Sequence, residues 1–409
     1  MASVKTLIRM RWLPGLLLLA AAVAPPVQAK PGSCHGAAVD CGSGVTAAFD
    51  HEGRLWAVFV QGKYVYLSRA AGPGRDFSAP VRVNREGEYI YSKGENHPKI
   101  AFGPGEEIYL SWSRATSNRF TGDVRFTRSL DGGHSFDPVR TINDDGLKAS
   151  HRFDSLLVAD NGDVYIAWLD ERERAGYKKA GDGNDSALYY VISRDKGATF
   201  SANYRVAGNS CDCCHIALAA GPADNAAVFW RAVFAGNTRD HAFTFLGRQG
   251  RTSDILRPAV DNWRIEACPE QGPSLDHADG ARYHLAWFSR GTEHKGIYYG
   301  LFDAAAGRLT RLAAVTSAAG AGHPQVLSAG NQVFLIWKEF DGEKTLLRAV
   351  YSDDGGTTWQ DPLTVMTTQS GSGNPALLDR SGRVFAAWFT RDEGLRIIAL
   401  NSSRWVHPS

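Results

Sequence analysis

Short apolar runs separated by polar turns recur along the chain at a regular interval. Each copy opens on a small or polar residue and runs through an apolar stretch to a turn with Asp, Asn or Gly. A second apolar stretch follows and closes on an aromatic residue. The copies read GVTAAFDHEGRLWAVF from Gly44, HPKIAFGPGEEIYLSW from His97, HRFDSLLVADNGDVYIAW from His151 and HIALAAGPADNAAVFW from His215. GPSLDHADGARYHLAW from Gly272, HPQVLSAGNQVFLIW from His323 and NPALLDRSGRVFAAW from Asn374 complete the series. Their closing aromatics are Phe59, Trp112, Trp168, Trp230, Trp287, Trp337 and Trp388, with gaps of 53, 56, 62, 57, 50 and 51 residues. Apolar runs this short, bounded by turn residues, predict strands rather than helices. DVRFTRS and DPVRTIN follow Trp112, and TLLRAVYS and PLTVMTT follow Trp337, which makes four strands per period. A four-stranded sheet repeated at such a period is a propeller blade, and the whole is an all-β chain. Seven copies predict seven blades, with six as the alternative count and two stacked β-domains as the competing architecture. The seventh copy holds only three strands before the chain ends near Leu400. A strand from Ser33 to Val39 is expected to complete it and close the ring.

Composition agrees with this picture and removes some functions. The chain of 409 residues has 43 Gly, 11 Trp and 14 Tyr but only 3 Met, a bias towards β structure. With 45 Lys+Arg against 43 Asp+Glu it is nearly neutral, which argues against a nucleic-acid-binding surface built on excess positive charge. Lys5, Arg9 and Arg11 precede the apolar run Leu16 to Ala24, too short to span a bilayer, and Val27-Gln28-Ala29 is a small-x-small cleavage site. Residues 1–29 are therefore expected to be a signal peptide cut after Ala29, leaving 30–409 as a single propeller domain. No Cys follows the cut directly, so no lipid anchor is expected. No second long apolar run follows either, which predicts export to the periplasm or the medium without a transmembrane segment.

Three turns share a second pattern: SLDGGHSF from Ser129, SRDKGATF from Ser193 and SDDGGTTW from Ser352. Each fits Ser-x-Asp-x-Gly-x-Ser/Thr-aromatic, in which the Asp accepts backbone N–H groups of its own turn and the Gly supplies a left-handed conformation. The pattern resembles the Asp-box (BNR) repeat of the sialidase-like propellers, and at the level of architecture the resemblance extends over nearly all of the mature chain. It implies, as the alternative to a metal-handling role, a sialidase-type exo-glycosidase acting on glycans. Members that hydrolyse sialosides use three arginines on the carboxylate, a Tyr nucleophile helped by Glu, and an Asp acid/base. Arginines follow the closing aromatics here at Arg114, Arg172, Arg231, Arg290 and Arg391, and Arg152 and Asp154 open the third copy. Arg114, Arg152, Asp154, Arg231, Arg290 and Arg391 are the candidate substrate-binding residues under this reading. The family's Arg-Ile-Pro signature is replaced by Gly42-Ser43-Gly44-Val45-Thr46, and no Tyr/Glu pair stands out. A lectin-like or scaffold module with a protein partner is the non-enzymatic alternative, and the charged connection Asp170 to Ser186 is its candidate docking or lid loop.

Cysteine and histidine cluster where the inner strands begin. His97 and His215 each lie 15 positions before a closing Trp, His323 lies 14 before and His151 lies 17 before. Cys211, Cys213 and Cys214 immediately precede His215, and Cys268 lies 19 before Trp287. Ring closure is expected to bring His97, His151, Cys211, Cys213, Cys214, His215, Cys268 and His323 towards one axis. Thiolate with imidazole suits copper first and zinc second, with metal handling or a redox role as the function. In a regular strand, same-face positions are about 6.6–7 Å apart, too wide to share a small ion. The metal reading therefore requires an irregular loop at Cys211–His215. Cys211-Asp212-Cys213-Cys214-His215 also fits C-x-x-C-H, the attachment pattern of c-type haem. Disulfides compete with both, Cys34 with Cys41 and Cys268 with one of the cysteines before His215.

Overall fold

The computed structural model describes residues 34, 36–116, 120–176 and 186–401. The expected signal segment and its cleavage site lie outside the described residues, as does 177–185 of the charged connection. The described residues form seven antiparallel sheets, and their sequential packing makes a seven-bladed β-propeller. The inner strands are Ser43–Phe49, Lys99–Phe102, His151–Val158, Ala217–Ala220, Ser274–Asp279, Ala321–Ala329 and Ala376–Arg380. Each pairs with a second strand: Leu55–Gln61, Ile108–Ala115, Val164–Asp170, Ala226–Arg231, Arg282–Arg290, Gln332–Phe340 and Arg383–Thr390. All seven closing aromatics sit in these second strands and are buried. Sheet stacking buries both faces of a second strand, which is why these strands read as continuous apolar runs rather than alternating ones.

Two expectations are corrected. The first, second, third, fifth and sixth blades have four strands, but the fourth and seventh have three. Among the described residues of the segment Ser33 to Val39, no strand closes the ring. Val39–Cys41 is a 3-10 turn, and the Asp40 Oδ1 at its centre accepts the Leu395 N–H at 3.0 Å. Val39 packs with Phe59 and Leu395, and Phe49 meets Phe385 at 5.3 Å between ring centres. Side-chain packing between the first and seventh blades thus takes the place of a shared ladder. Cys34 and Cys41 form a disulfide that holds this entry segment.

The three Ser-x-Asp turns fold alike, each between the third and fourth strands of its blade. Asp131 accepts the Ser135 N–H at 2.9 Å, and Ser129 Oγ accepts the Gly133 N–H at 2.8 Å; Asp195 with Thr199, and Asp354 with Thr358, repeat the pattern. Gly356 has φ +81°, and a Cβ there would overlap the hydroxyl of Tyr299 in the preceding blade. This glycine lets adjacent blades approach.

Candidate functional site

The axial channel is lined by residues just before and within the inner strands. It contains a cavity of about 260 Å³ whose polar lining includes Thr46, Glu95, His97, Lys99, His215 and Asn374. The lead-in to the second blade supplies Glu95 and His97, and its inner strand opens on Lys99. Glu95 is buried at the centre of a bonding network that joins four blades. It accepts the backbone N–H of His215 at 2.8 Å and of Gly272 at 2.7 Å, and its carboxylate meets Nδ1 of His323 at 3.1 Å and of His215 at 3.3 Å. Burial alone would favour the neutral acid. The charges and hydrogen bonds of His215 and His323 more than offset it, holding the carboxyl well below its ordinary range.

His97 and Lys99 alternate with Pro98 and so share the channel side. Nδ1 of His97 faces Thr46 Oγ1 at 2.8 Å and the Pro98 carbonyl at 3.2 Å, while the Thr46 hydroxyl donates to that same carbonyl at 2.6 Å. Thr46 has spent its proton, so Nδ1 is the donor and Nε2 carries the lone pair. Burial and the neighbouring Lys99 charge push His97 well down, so the imidazole is neutral. Lys99 Nζ donates to the His97 carbonyl at 2.7 Å. Burial lowers this ammonium to about 8, with Asp154 and Glu95 opposing. The channel thus pairs a neutral base with a cation that retains its charge at neutral pH.

The eight residues expected at one metal centre fall into separate groups. His97, His215 and His323 belong to the channel, the last two meeting through Glu95. His151 is fully buried elsewhere, with Nδ1 against the Gly122 carbonyl at 2.8 Å and Nε2 against Asp145 at 3.0 Å. Arg172 joins Asp144, Asp145 and Asp170 beside it. With Asp145 and Asp170, His151 forms a buried His/Asp group apart from both the channel and the cysteines.

Cys211, Cys213 and Cys214 lie in the irregular turn that the metal reading required. Their sulfurs converge, with Cys211 Sγ at 3.7 Å from Cys213 Sγ and 3.6 Å from Cys214 Sγ. His215 turns the other way, into the channel. Cys268 is exposed and unbridged, and it approaches Cys213 and Asp212. The expected disulfide from Cys268 is therefore not formed. The C-x-x-C-H pattern places its two sulfurs in contact inside an apolar cluster with Phe153 and Trp230, and a porphyrin would have to displace that packing.

Arg114, Arg152, Arg231 and Arg290 are engaged locally. Arg114 pairs with Asp123 and Glu88, and Arg231 is buried, donating to the carbonyls of Arg239, Gln271 and Phe288. Arg290 donates to the Ala319 carbonyl, and the Arg391 guanidinium lies against Gly371. Arg152 lies over the rings of Tyr91, Phe120 and Phe153. Asp154 is buried and accepts the hydroxyls of Ser111 and Ser113 at 2.7 and 2.8 Å. Sequence reasoning missed Glu95, Lys99 and Thr46. The period-2 relation of His97 to Lys99 was the available signal for one of them.

No family model and no curated protein sequence matches the chain. Solved structures do. A PL25 ulvan lyase, a polysaccharide lyase bound to -[GlcA(1-4)Rha3S]-, aligns with a TM-score of 0.56 and 13% identity, over 89% of this chain and 96% of its own. The intramolecular trans-sialidase from Ruminococcus gnavus, in complex with oseltamivir carboxylate, aligns with a TM-score of 0.50 and 11% identity, over 79% of this chain and 99% of its own. The chain therefore has a sialidase-like propeller fold, one that polysaccharide lyases also adopt.

Proposed function

We propose that this chain is an exported glycan-processing protein that takes an acidic sugar into its axial channel. The observation that carries the reading is the His97–Lys99 pair: a neutral imidazole with a free Nε2 lone pair beside a buried ammonium. The cavity of about 260 Å³ is smaller than the ~300–1,000 Å³ typical of sites for drug-sized ligands, which suits one sugar ring. The structural likeness to a lyase that binds a glucuronate-containing glycan supports the acidic class.

The chemistry that fits is elimination. Lys99 holds the uronate carboxylate and His97 Nε2 takes the proton from the carbon beside it. The electron pair forms a carbon–carbon double bond as the adjacent glycosidic C–O bond breaks. The imidazolium then returns its proton to the leaving oxygen. Sialidase-type hydrolysis, with a tyrosine nucleophile and carboxylate partners, is the second reading, favoured by the likeness to the trans-sialidase. Among the described residues, Glu95 is the sole carboxylate in the cavity lining, and its hydrogen bonds are already committed. Among the described residues no arginine or tyrosine lines that cavity.

The test is a panel of uronate-containing, sulfated and sialylated polysaccharides, read for unsaturated uronate by ultraviolet absorbance and for reducing ends. Activity on a uronate polymer that His97→Ala and Lys99→Met abolish would support elimination. Reducing ends without unsaturation would move the reading to hydrolysis. Neither binding nor turnover of any acidic glycan would refute it.

A further inference from the structure

We propose that Cys211, Cys213 and Cys214 form a three-thiolate site for monovalent copper, separate from the channel. The supporting geometry is the convergence of three buried sulfurs from one short turn. Metal–sulfur bonds of about 2.3 Å set sulfur–sulfur edges of roughly 3.8–4.0 Å in tetrahedral or trigonal coordination. The edges at Cys211 are 3.7 and 3.6 Å, so a small closing or opening of the turn accommodates the ion. All potential ligand atoms of the three lie within 4.8 Å of one another.

The turn is held from both ends. Cys211 N–H donates to the Arg231 carbonyl at 2.9 Å, and Ser210 N–H to the Ser186 carbonyl at 2.8 Å. At the other end, the His215 N–H is fixed on Glu95. The three cysteines are buried in an apolar cluster that includes Phe153, Ile216 and Trp230. Such a pocket excludes hard, strongly hydrated ions and admits a soft one.

Coordination number selects the ion. Cys268 and Asp212 approach Cys213, but among the described residues no fourth histidine, cysteine or carboxylate joins the group of three. Zinc takes four ligands in structural sites, whereas three soft thiolates suit monovalent copper. Charge is also provided for: Arg239 Nη1 lies 3.2 Å from Cys211 Sγ. Binding involves no redox step. The ion enters as monovalent copper, three copper–sulfur bonds form, and the protons still carried by the thiols pass to solvent. Cys268 is exposed beside Cys213.

The test uses the mature chain, reduced and then freed of reductant without oxygen. Monovalent copper is titrated against a chromophoric competitor. One ion per chain is expected, with X-ray absorption showing three sulfur neighbours. Cys213→Ser and Cys214→Ser should each weaken binding by more than about 100-fold, since loss of even outer-shell partners costs 10–100-fold. Cys268→Ser should keep the one-to-one stoichiometry. Circular dichroism melts identify any variant that fails to fold, and Cys211→Ser then replaces it. A fully reduced chain that takes up no copper, or a triple serine variant that binds as well as the parent, would overturn the site. Zinc that resists displacement by an equal amount of monovalent copper would overturn the choice of ion.

Discussion

Replacing Glu95 with Ala tests whether the channel network organises the ring. The carboxylate accepts two backbone N–H groups, those of His215 and Gly272, which lie 120 and 177 residues away along the chain. Each buried donor left without a partner costs about 1–3 kcal/mol. His215 and His323 also lose their anionic partner, and water entering the adjacent cavity recovers part of the loss. The expected destabilisation is about 3–5 kcal/mol, the range for breaking a buried charged pair. Equilibrium urea melts followed by tryptophan fluorescence and circular dichroism give the value where the two signals coincide. The pH dependence adds a second check. Because the folded carboxyl lies well below its ordinary 4.5, its contribution is fully present above 4.5 and is lost as pH falls through the folded value. The gap between parent and Glu95→Gln should therefore narrow on acidification below 4.5. A loss under about 1 kcal/mol in the alanine variant, or a gap independent of pH, would refute the network's structural role.

Other positions make separate predictions. Lys99 keeps its charge below about 8, so binding of a carboxylate-bearing sugar should weaken as pH rises through that value; Lys99→Arg should carry binding to higher pH, and an identical profile in both would contradict the cation's role. Arg231→Met should cost about 1–3 kcal/mol because the buried Phe288 carbonyl and two half-buried carbonyls lose one charged donor and Trp263 loses the guanidinium 4.7 Å from its ring centre; a normal melt with a selective loss of glycan binding would instead make Arg231 a ligand residue. Gly356→Ala should lower stability by about 2 kcal/mol or more, through the left-handed backbone and the overlap with Tyr299; an unchanged melting temperature would contradict the close blade contact.

The blades were legible because their physics is local. Asp354, for example, finds its donor partners within four residues, at the Thr357 and Thr358 N–H groups. A motif confined to one turn is complete in the sequence. The closing tryptophans read equally well, because a second strand buried on both faces needs an unbroken apolar run. The fourth and seventh blades were misjudged at their outer edges. There only a few hydrogen bonds decide whether a segment counts as a strand, and the pattern of side chains is silent about them.

The candidate centres divide differently. That cysteine and histidine concentrate at Cys211–His215 is a property of the sequence alone. That the three sulfurs meet while His215 points into the channel depends on anchors from other blades: the Arg231 carbonyl on one side and Glu95 on the other. Glu95 itself carries no motif, since its partners His215, Gly272 and His323 lie 120 to 228 residues away. Sequence by itself determined the repeat, the strand periodicity and the turns, each governed by neighbours within a few residues. Tertiary structure alone decided which side chains share the channel and which share the thiol cluster, because ring closure brings together groups whose spacing along the chain says nothing of their distance in space.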